Sequence, residues 1–340
     1  MAKSGRIHRK SSGNLNIGRF LPKLTPKIEG EVSISETPPT KPPTDPEILS
    51  CSWSNLQCTF PDLFAFLGEL AEIYTVTVTR GGINFRAMDP SHVAMVTLHL
   101  DIEDFSKFKF IPPEITWNHP LIKNTQDTPT FTLNVKHLHQ KISLFSEKRD
   151  VLKIGLTKDD VKQRTMHFSC RRFKFNQSFS DEEDEEVPDP SIEFNLNYGA
   201  RTTELNEFML VAQYLDSDYV TFDYQPDRGL QLMGSSADHP EFSKQIPLFG
   251  NIPTTKERFT GLFSLEYLLD ILKMPTSCVQ LNLKTDYPLL ITSKITRNSY
   301  FEVWLACRVE EDDDDYEERE QEREISRGMH LLFSESEKYE

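Results

Sequence analysis

No apolar run in this chain approaches the ~18 residues that a membrane-spanning helix needs, and no secretory leader opens it. Neither a membrane partner nor a secreted protein is therefore expected. Cysteine is scarce, and the five present (Cys51, Cys58, Cys170, Cys278 and Cys307) fall without metal-ligand or redox spacing. That sets aside a zinc finger and predicts reduced, buried thiols of an intracellular protein. The sequence also lacks a phosphate loop, a dinucleotide fingerprint, a nucleophile elbow and a His-Glu-x-x-His pair. His137 and His139 stand two apart and would not share a helix face, so they read as surface or capping residues rather than ligands. No catalytic residue, metal or cofactor is expected.

The 340 residues suffice for two ordinary domains or one large one, and 37% hydrophobic with 23 Phe supports a sizeable core. The net charge of −15 is uneven. Residues 1–27 hold seven basic side chains, among them Arg6, Arg9 and Lys10, and no acidic one. Residues 181–186 are six consecutive acids, and 310–324 set eleven acids against Arg319 and Arg323. The remainder is still acidic, which counts against non-specific affinity for phosphates. Residues 1–49, rich in Ser, Gly, Pro and Lys and ending near Thr37-Pro-Pro-Thr-Lys-Pro-Pro-Thr, read as a disordered basic arm. Residues 179–190 read as an acidic linker and 310–340 as an acidic tail. Two similar segments remain, 51–178 and 191–309.

These segments repeat one order of elements. A helical pattern at 60–73 precedes the β-rich run Tyr74-Thr-Val-Thr-Val-Thr-Arg-Gly-Gly-Ile-Asn-Phe, and one at 204–215 precedes Tyr219-Val-Thr-Phe-Asp-Tyr-Gln-Pro-Asp-Arg-Gly-Leu. Both runs read as hairpins, with turns at Gly81-Gly82 and at Asp227-Arg228-Gly229. A second helix follows in each half, at 135–145 and 264–273, and then alternating strand text at 151–156 and 278–283. The expected fold class is α+β, made twice: short helices on one face of mainly antiparallel sheets.

The run Gly82-Ile-Asn-Phe-Arg-Ala-Met-Asp-Pro-Ser-His-Val resembles a segment of the sliding clamps of the proliferating cell nuclear antigen (PCNA) family, which carry a Met-Asp-Ser-Ser-His-Val-type motif after the first hairpin turn. Asp286-Tyr-Pro-Leu-Leu and Phe301-Glu-Val-Trp-Leu-Ala-Cys-Arg-Val-Glu-Glu-Asp resemble the family's late strands and acidic end, so the resemblance is collinear over about 51–312. The long arm, the longer tail and the general divergence suggest a viral or otherwise remote member, in a host nucleus or at a viral replication site. The resemblance implies a duplicated DNA-clamp fold and a head-to-tail homo-oligomer, a trimeric ring. Such a ring encircles duplex DNA, serves a clamp loader and tethers a DNA polymerase as its processivity factor, without catalysis. It also implies a groove for partner peptides of the pattern Gln-x-x-aliphatic-x-x-aromatic-aromatic. Met88 and Val93 would line the groove, Pro288 would form its floor, Trp304 would replace the family's aromatic, and Val187 would be the linker's apolar contact. Two departures stand out: the linker is acidic where the family's is apolar, and Cys307 replaces the family's usual Pro. A partner with basic flanks is then favoured. The arm itself holds Asn14-Leu-Asn-Ile17-Gly-Arg-Phe20-Leu21, an approximation to the partner peptide.

A clamp's inner helices should present Lys and Arg to phosphates. Here the outward positions of the four helical patterns carry seven acids (Asp62, Glu69, Glu72, Glu204, Glu207, Glu266, Asp270) against Lys136, Lys141 and Lys273. Three readings compete. Lys148 and Arg149, or the strand-borne Arg171, Arg172 and Lys174, make the DNA contact. The N-terminal arm supplies the missing charge. Or the protein is a clamp-derived scaffold in viral transcription or repair that does not encircle DNA. His92 reads as a hydrogen-bonding strand residue. A metal-dependent nuclease built on Asp312–Asp315 stands a distant third.

Overall fold

Alternating apolar residues dictate most of the strands seen in the computed structural model, which describes residues 47–53, 60–111, 130–145, 151–170, 173–180, 192–236, 241–253 and 255–308. The first half runs β1 (Glu47–Trp53), α1 (Phe60–Leu70), β2 (Ile73–Thr79), β3 (Gly82–Met88), β4 (Ala94–Asp101), β5 (Phe105–Phe110), β6 (Thr130–Asn134), α2 (Val135–Phe145), β7 (Leu152–Thr157), a short α3 (Lys158–Gln163), β8 (Thr165–Cys170) and β9 (Phe173–Ser180). The second runs β10 (Leu196–Arg201), α4 (Thr202–Tyr214), β11 (Tyr219–Gln225), β12 (Gly229–Gly234), β13 (Phe242–Ile246), β14 (Phe259–Ser264), α5 (Leu265–Ile271), β15 (Cys278–Leu283), β16 (Leu289–Lys294) and β17 (Tyr300–Leu305). Without β5 and α3, the first half has the element order of the second. The repeat expected from the sequence is therefore a repeat of topology.

The first hairpin turns at Arg80-Gly81 between Thr79 and Gly82. Gly82 has φ +148°, and a Cβ there would lie 2.0 Å from the Leu100 carbonyl oxygen, so only glycine lets β3 pass β4 this closely. The second hairpin closes on Gly229, at φ +82°.

Among the described residues all strand pairs are antiparallel. Thirteen strands join edge to edge in the order β10-β15-β16-β17-β4-β3-β2-β6-β9-β8-β7-β1-β5, and β13-β12-β11-β14 form a second sheet. The chain's two halves meet where β17 pairs with β4 over six residue pairs, Tyr300↔His99 to Leu305↔Ala94. The helices cover one side of the sheets as a row: α2 packs on α1, α1 meets α5, and α5 meets α4. Phe64, Phe66, Leu138, Met209 and Leu268 point from these helices into the core. Aromatic edges lock the layers, with Phe66 on Phe301 at 4.8 Å and Phe64 on Phe85 at 5.6 Å between ring centres.

Several expected boundaries move. β1 begins at Glu47, inside the segment read as arm, because Ile48 and Leu49 are buried and the strand is paired on both sides, by β5 and β7. β9 continues through Phe179 and Ser180, the first two residues of the expected linker, since Phe179 is buried against Phe131 at 4.7 Å between ring centres. The first helix stops at Leu70, and Ile73 opens β2 instead. The thiols also differ from expectation. Cys51 is buried, and burial pushes its thiol up to about 12, whereas Cys278 and Cys307 are only half-buried.

Candidate functional site

Strand register builds an apolar row on the sheet face that the helices leave uncovered. Met88 on β3 lies opposite Met95 on β4, Met95 opposite Trp304 on β17, and Trp304 opposite Leu290 on β16. Side chains one apart along a strand point to opposite faces, so these four share one face, about 14 Å across four strands. Arg86, beside them on β3, reaches Met95 Sδ with Nη2 at 3.7 Å. Val93, two residues before Met95, borders the row on one side, where its carbonyl accepts from Ala306 N–H at 2.9 Å beyond the end of β17. Pro288, two residues before Leu290, borders the same side, after Asp286, which turns the chain between β15 and β16 with φ +63°. Thus Met88, Val93, Pro288 and Trp304, named from sequence, lie near one another on this sheet face. Val187 lies outside the described residues.

Sequence reasoning missed two members. Phe194 packs against Trp304, with ring centres 5.6 Å apart. It supplies an aromatic wall just after the acidic segment, and its one signal was the alternation Ile192, Phe194, Leu196. Asp89 is the other. It is 6% exposed, and its carboxylate accepts from the backbone N–H groups of Ser91 (2.9 Å), Val93 (2.7 Å) and Ala94. Tyr267 Oη on α5 donates to the same carboxylate at 2.6 Å. Burial opposes ionisation of Asp89, but the bonds from Ala94, Tyr267, Ser91 and Val93 together outweigh it and hold the carboxyl below its ordinary value. Asp89 thereby shapes the turn that carries Val93 and ties it to the second half of the chain. His92 is part of this turn, not a strand residue: its φ is +59° and its N–H donates to the Asp89 carbonyl at 2.9 Å.

Beside the apolar row, on the same face, a cleft of about 730 Å³ is lined by Phe249, Ile252, Gln280, Lys294, Tyr300 and Glu302, among others. Ile252 is 79% exposed there.

The helix row has a different character. Lys273 Nζ sits 2.7 Å from Glu69 and 2.8 Å from Asp270, so it is neutralised across the α1–α5 contact. Lys141 donates to the Asn176 carbonyl and to Gln177 Oε1 on β9. Lys136 is exposed on α2. Two of the acids are offset by a residue that no helical wheel would show: Lys244 on β13 bonds Glu204 at 3.0 Å and Glu207 at 2.5 Å. Lys174 is exposed on β9. Lys148, Arg149, Arg171, Arg172, Arg6, Arg9 and Lys10 lie outside the described residues, as do the peptide-like segment at 14–21 and the acids at 312–315.

Comparison with known proteins now bears on this arrangement. Residues 59–156 match the family model of the proliferating cell nuclear antigen N-terminal domain. The chain is 25% identical over 255 residues to the DNA polymerase sliding clamp of Thermococcus gammatolerans, covering 74% of this chain and 95% of that protein. Its structure is similar to that of the PCNA of Entamoeba histolytica, with a TM-score of 0.64 at 17% identity, over 77% of this chain and all of that one. It is equally similar, with a TM-score of 0.64 at 16% identity over 78% of this chain and all of that one, to the PCNA of A. fulgidus solved with the C-terminal region of FEN-1 bound. The fold is the α+β sliding-clamp fold, and the likenesses support the sliding-clamp family for the chain.

Proposed function

We infer that this chain is a DNA sliding clamp of the PCNA type, a non-catalytic factor that holds a DNA polymerase and other replication proteins on duplex DNA. The relatives favour this over a scaffold that never encircles DNA. One observation carries the reading furthest: the chain contains a complete junction of its own and the parts of a second one, an open sheet edge at β13 and, on β9, an outer edge that β6 occupies only at Phe179 and Ser180. At the internal junction β4 and α1 of the first half meet β17 and α5 of the second. The topological equivalents of β4 and α1 are β13 and α4, and those of β17 and α5 are β9 and α2.

Both equivalent pairs are tied together. Lys244 links β13 to α4, where Phe242 also packs on Phe208, and Lys141 links α2 to β9. β13 ends its sheet, and α4 ends the helix row with Leu210 59%, Val211 45% and Tyr214 86% exposed. An exposed apolar cluster beside a strand edge is what a partner should cover. In this reading β13 and α4 of one copy receive β9 and α2 of the next, head to tail, until three copies close a ring. The groove of Met88, Val93, Pro288, Trp304 and Phe194 then takes partner peptides from the polymerase and from proteins such as nucleases, with a clamp loader opening the ring. The setting is a nucleus or a viral replication site.

The test is primer extension on singly primed DNA in circular and linear forms. A ring retained by topology raises product length on the circle and is lost from the open ends of the linear template. Equal stimulation of both, or none on the circle, refutes encirclement.

A further inference from the structure

Four lysines that no carboxylate claims among the described residues lie on strands of the first half. Strand register gathers them on the solvent face of β5-β1-β7-β8-β9, the side of that sheet away from the helices. One row across it reads Lys107, Ser52, Lys153, Ser169, Lys174, each opposite the next. The adjoining row reads Lys109, Ser50, Gly155, His167, Asn176. Lys107, Lys109, Lys153 and Lys174 are all exposed, and none has an ion-pair partner among the described residues. The residues between them are Ser and Gly, so the face is flat and the ammonium groups stand above it.

The carboxylates of this face gather at its far end, near Thr157, where β1 begins at Glu47 and α3 carries Asp159 and Asp160. Asp160 is itself buried and committed, to His167 Nε2 at 2.6 Å and to Thr157 N–H at 2.8 Å. His167 is engaged on its other nitrogen by Asn176 at 2.6 Å. In a chain of net charge −15, four unclaimed cations on one flat face are a strong local exception.

We propose that this face, through Lys107, Lys109, Lys153 and Lys174, is a DNA-contact surface on the sheet side of the protein, taking the phosphate backbone of duplex DNA. The proposal rests on the clamp reading, which brings DNA to the protein. Charge complementarity selects the occupant, and spacing supports it. Strands lie about 4.8 Å apart, so lysines on alternate strands stand about 10 Å from one another, and Lys107 and Lys109 about 7 Å. Those separations are comparable to the roughly 12 Å and 6 Å grooves across which duplex phosphates face each other. Lysine and serine offer no bidentate fork for a base edge, so the contact is independent of sequence. The competing occupant is an acidic stretch of polypeptide, which the experiment separates from DNA.

The experiment measures affinity of the full chain for a short duplex as a function of salt. Each phosphate contact contributes about 0.9 to the slope of log K against log salt. The variant K107Q/K109Q/K153Q/K174Q should flatten that slope by up to about 3.6 and weaken binding tenfold or more near 0.1 M salt. The four-fold Lys→Arg variant should retain the native slope. K107Q/K109Q/K153Q spares β9 and should show about three quarters of the effect while assembling normally. A native slope in both glutamine variants overturns the proposal and leaves the clamp reading standing. If the native protein neither binds duplex nor stimulates extension on circular DNA, both fall. If the glutamine substitutions instead abolish binding of a synthetic 310–324 peptide with DNA affinity unchanged, the face is an acidic-peptide site and the DNA assignment is wrong.

Discussion

The internal junction and the two outer pairs, β13 with α4 and β9 with α2, are built from equivalent parts, yet only the junction is finished. Where β4 meets β17, six residue pairs continue the sheet, Lys273 bridges α5 to Glu69 on α1, and Tyr267 reaches Asp89 from the far half. At the ends, β13 stops its sheet and α4 leaves Leu210, Val211 and Tyr214 in solvent. One is a junction held by covalent connection; the other would have to be held by association between copies. The difference teaches where the energy must lie. The tethered junction adds one buried carboxylate network and a thin ionic contact to its β4–β17 pairs and the buried Phe66–Phe301 contact. An untethered one also bears the cost of lost translational freedom and needs apolar area.

Substitutions can break that comparison on either side. The largest effect should come from the open end. Leu210→Asp with Tyr214→Asp puts charge into the surface proposed for the neighbouring copy, so association should weaken by about a hundredfold or more. The thermal unfolding of the separated chain should shift little, since both residues are exposed. Sedimentation velocity and calorimetry read the two quantities independently.

At the closed junction, Asp89→Asn keeps the shape of the side chain and removes its charge. A loss of about 2 kcal/mol in folding stability is expected at neutral pH, from weakening charge-assisted bonds to a buried carboxylate. The pH dependence has a definite sign. Because Asp89 ionises below its ordinary value in the folded protein, its stabilisation is complete above the unfolded value of about 4 and is lost as pH falls through the lower folded value. Native and variant stabilities, followed by denaturant titration, should therefore differ most near neutrality and converge in acid.

Trp304→Ala removes the centre of the groove that lies beside the junction. It should cost about 2 kcal/mol, or roughly thirtyfold, in affinity for a peptide of the Gln-x-x-aliphatic-x-x-aromatic-aromatic pattern, measured by calorimetric titration. Lys273→Met should do least. Its carboxylate partners are about half and a third exposed, and such surface pairs contribute between zero and about 1 kcal/mol. A large loss of stability there would mean that the ionic contact, not the Asp89 network, holds the two halves together.

The duplication, both hairpins and the limits of α2 were legible in the sequence, because each rests on local periodicity and turn chemistry. That Met88, Val93, Pro288 and Trp304 gather on one sheet face was legible through family resemblance alone. What stayed hidden involves contacts between distant parts of the chain. Tyr267 and Asp89 are 178 positions apart, and nothing in either segment announces the other. Lys244 could not be matched with Glu204 and Glu207 from a helical wheel, since it comes from a strand folded against α4. The count of acids on the helices left out Lys244, which offsets two of them, and with it the helix face still carries seven acids against four lysines. The lysine row was invisible for a third reason. Lys107, Lys153 and Lys174 become neighbours only when β5, β1, β7, β8 and β9 pair in a non-sequential order with one particular register.

The central claim is that the open ends complete each other between copies as β4 and β17 do within one. Light scattering on the full chain, eluting from a sizing column at micromolar concentration, measures it most directly. The account predicts a particle of about three times the 39.3 kDa chain mass, falling to a single chain mass when Leu210 and Tyr214 are replaced by Asp. A native protein that elutes as one 39.3 kDa chain, with or without those substitutions, would contradict it.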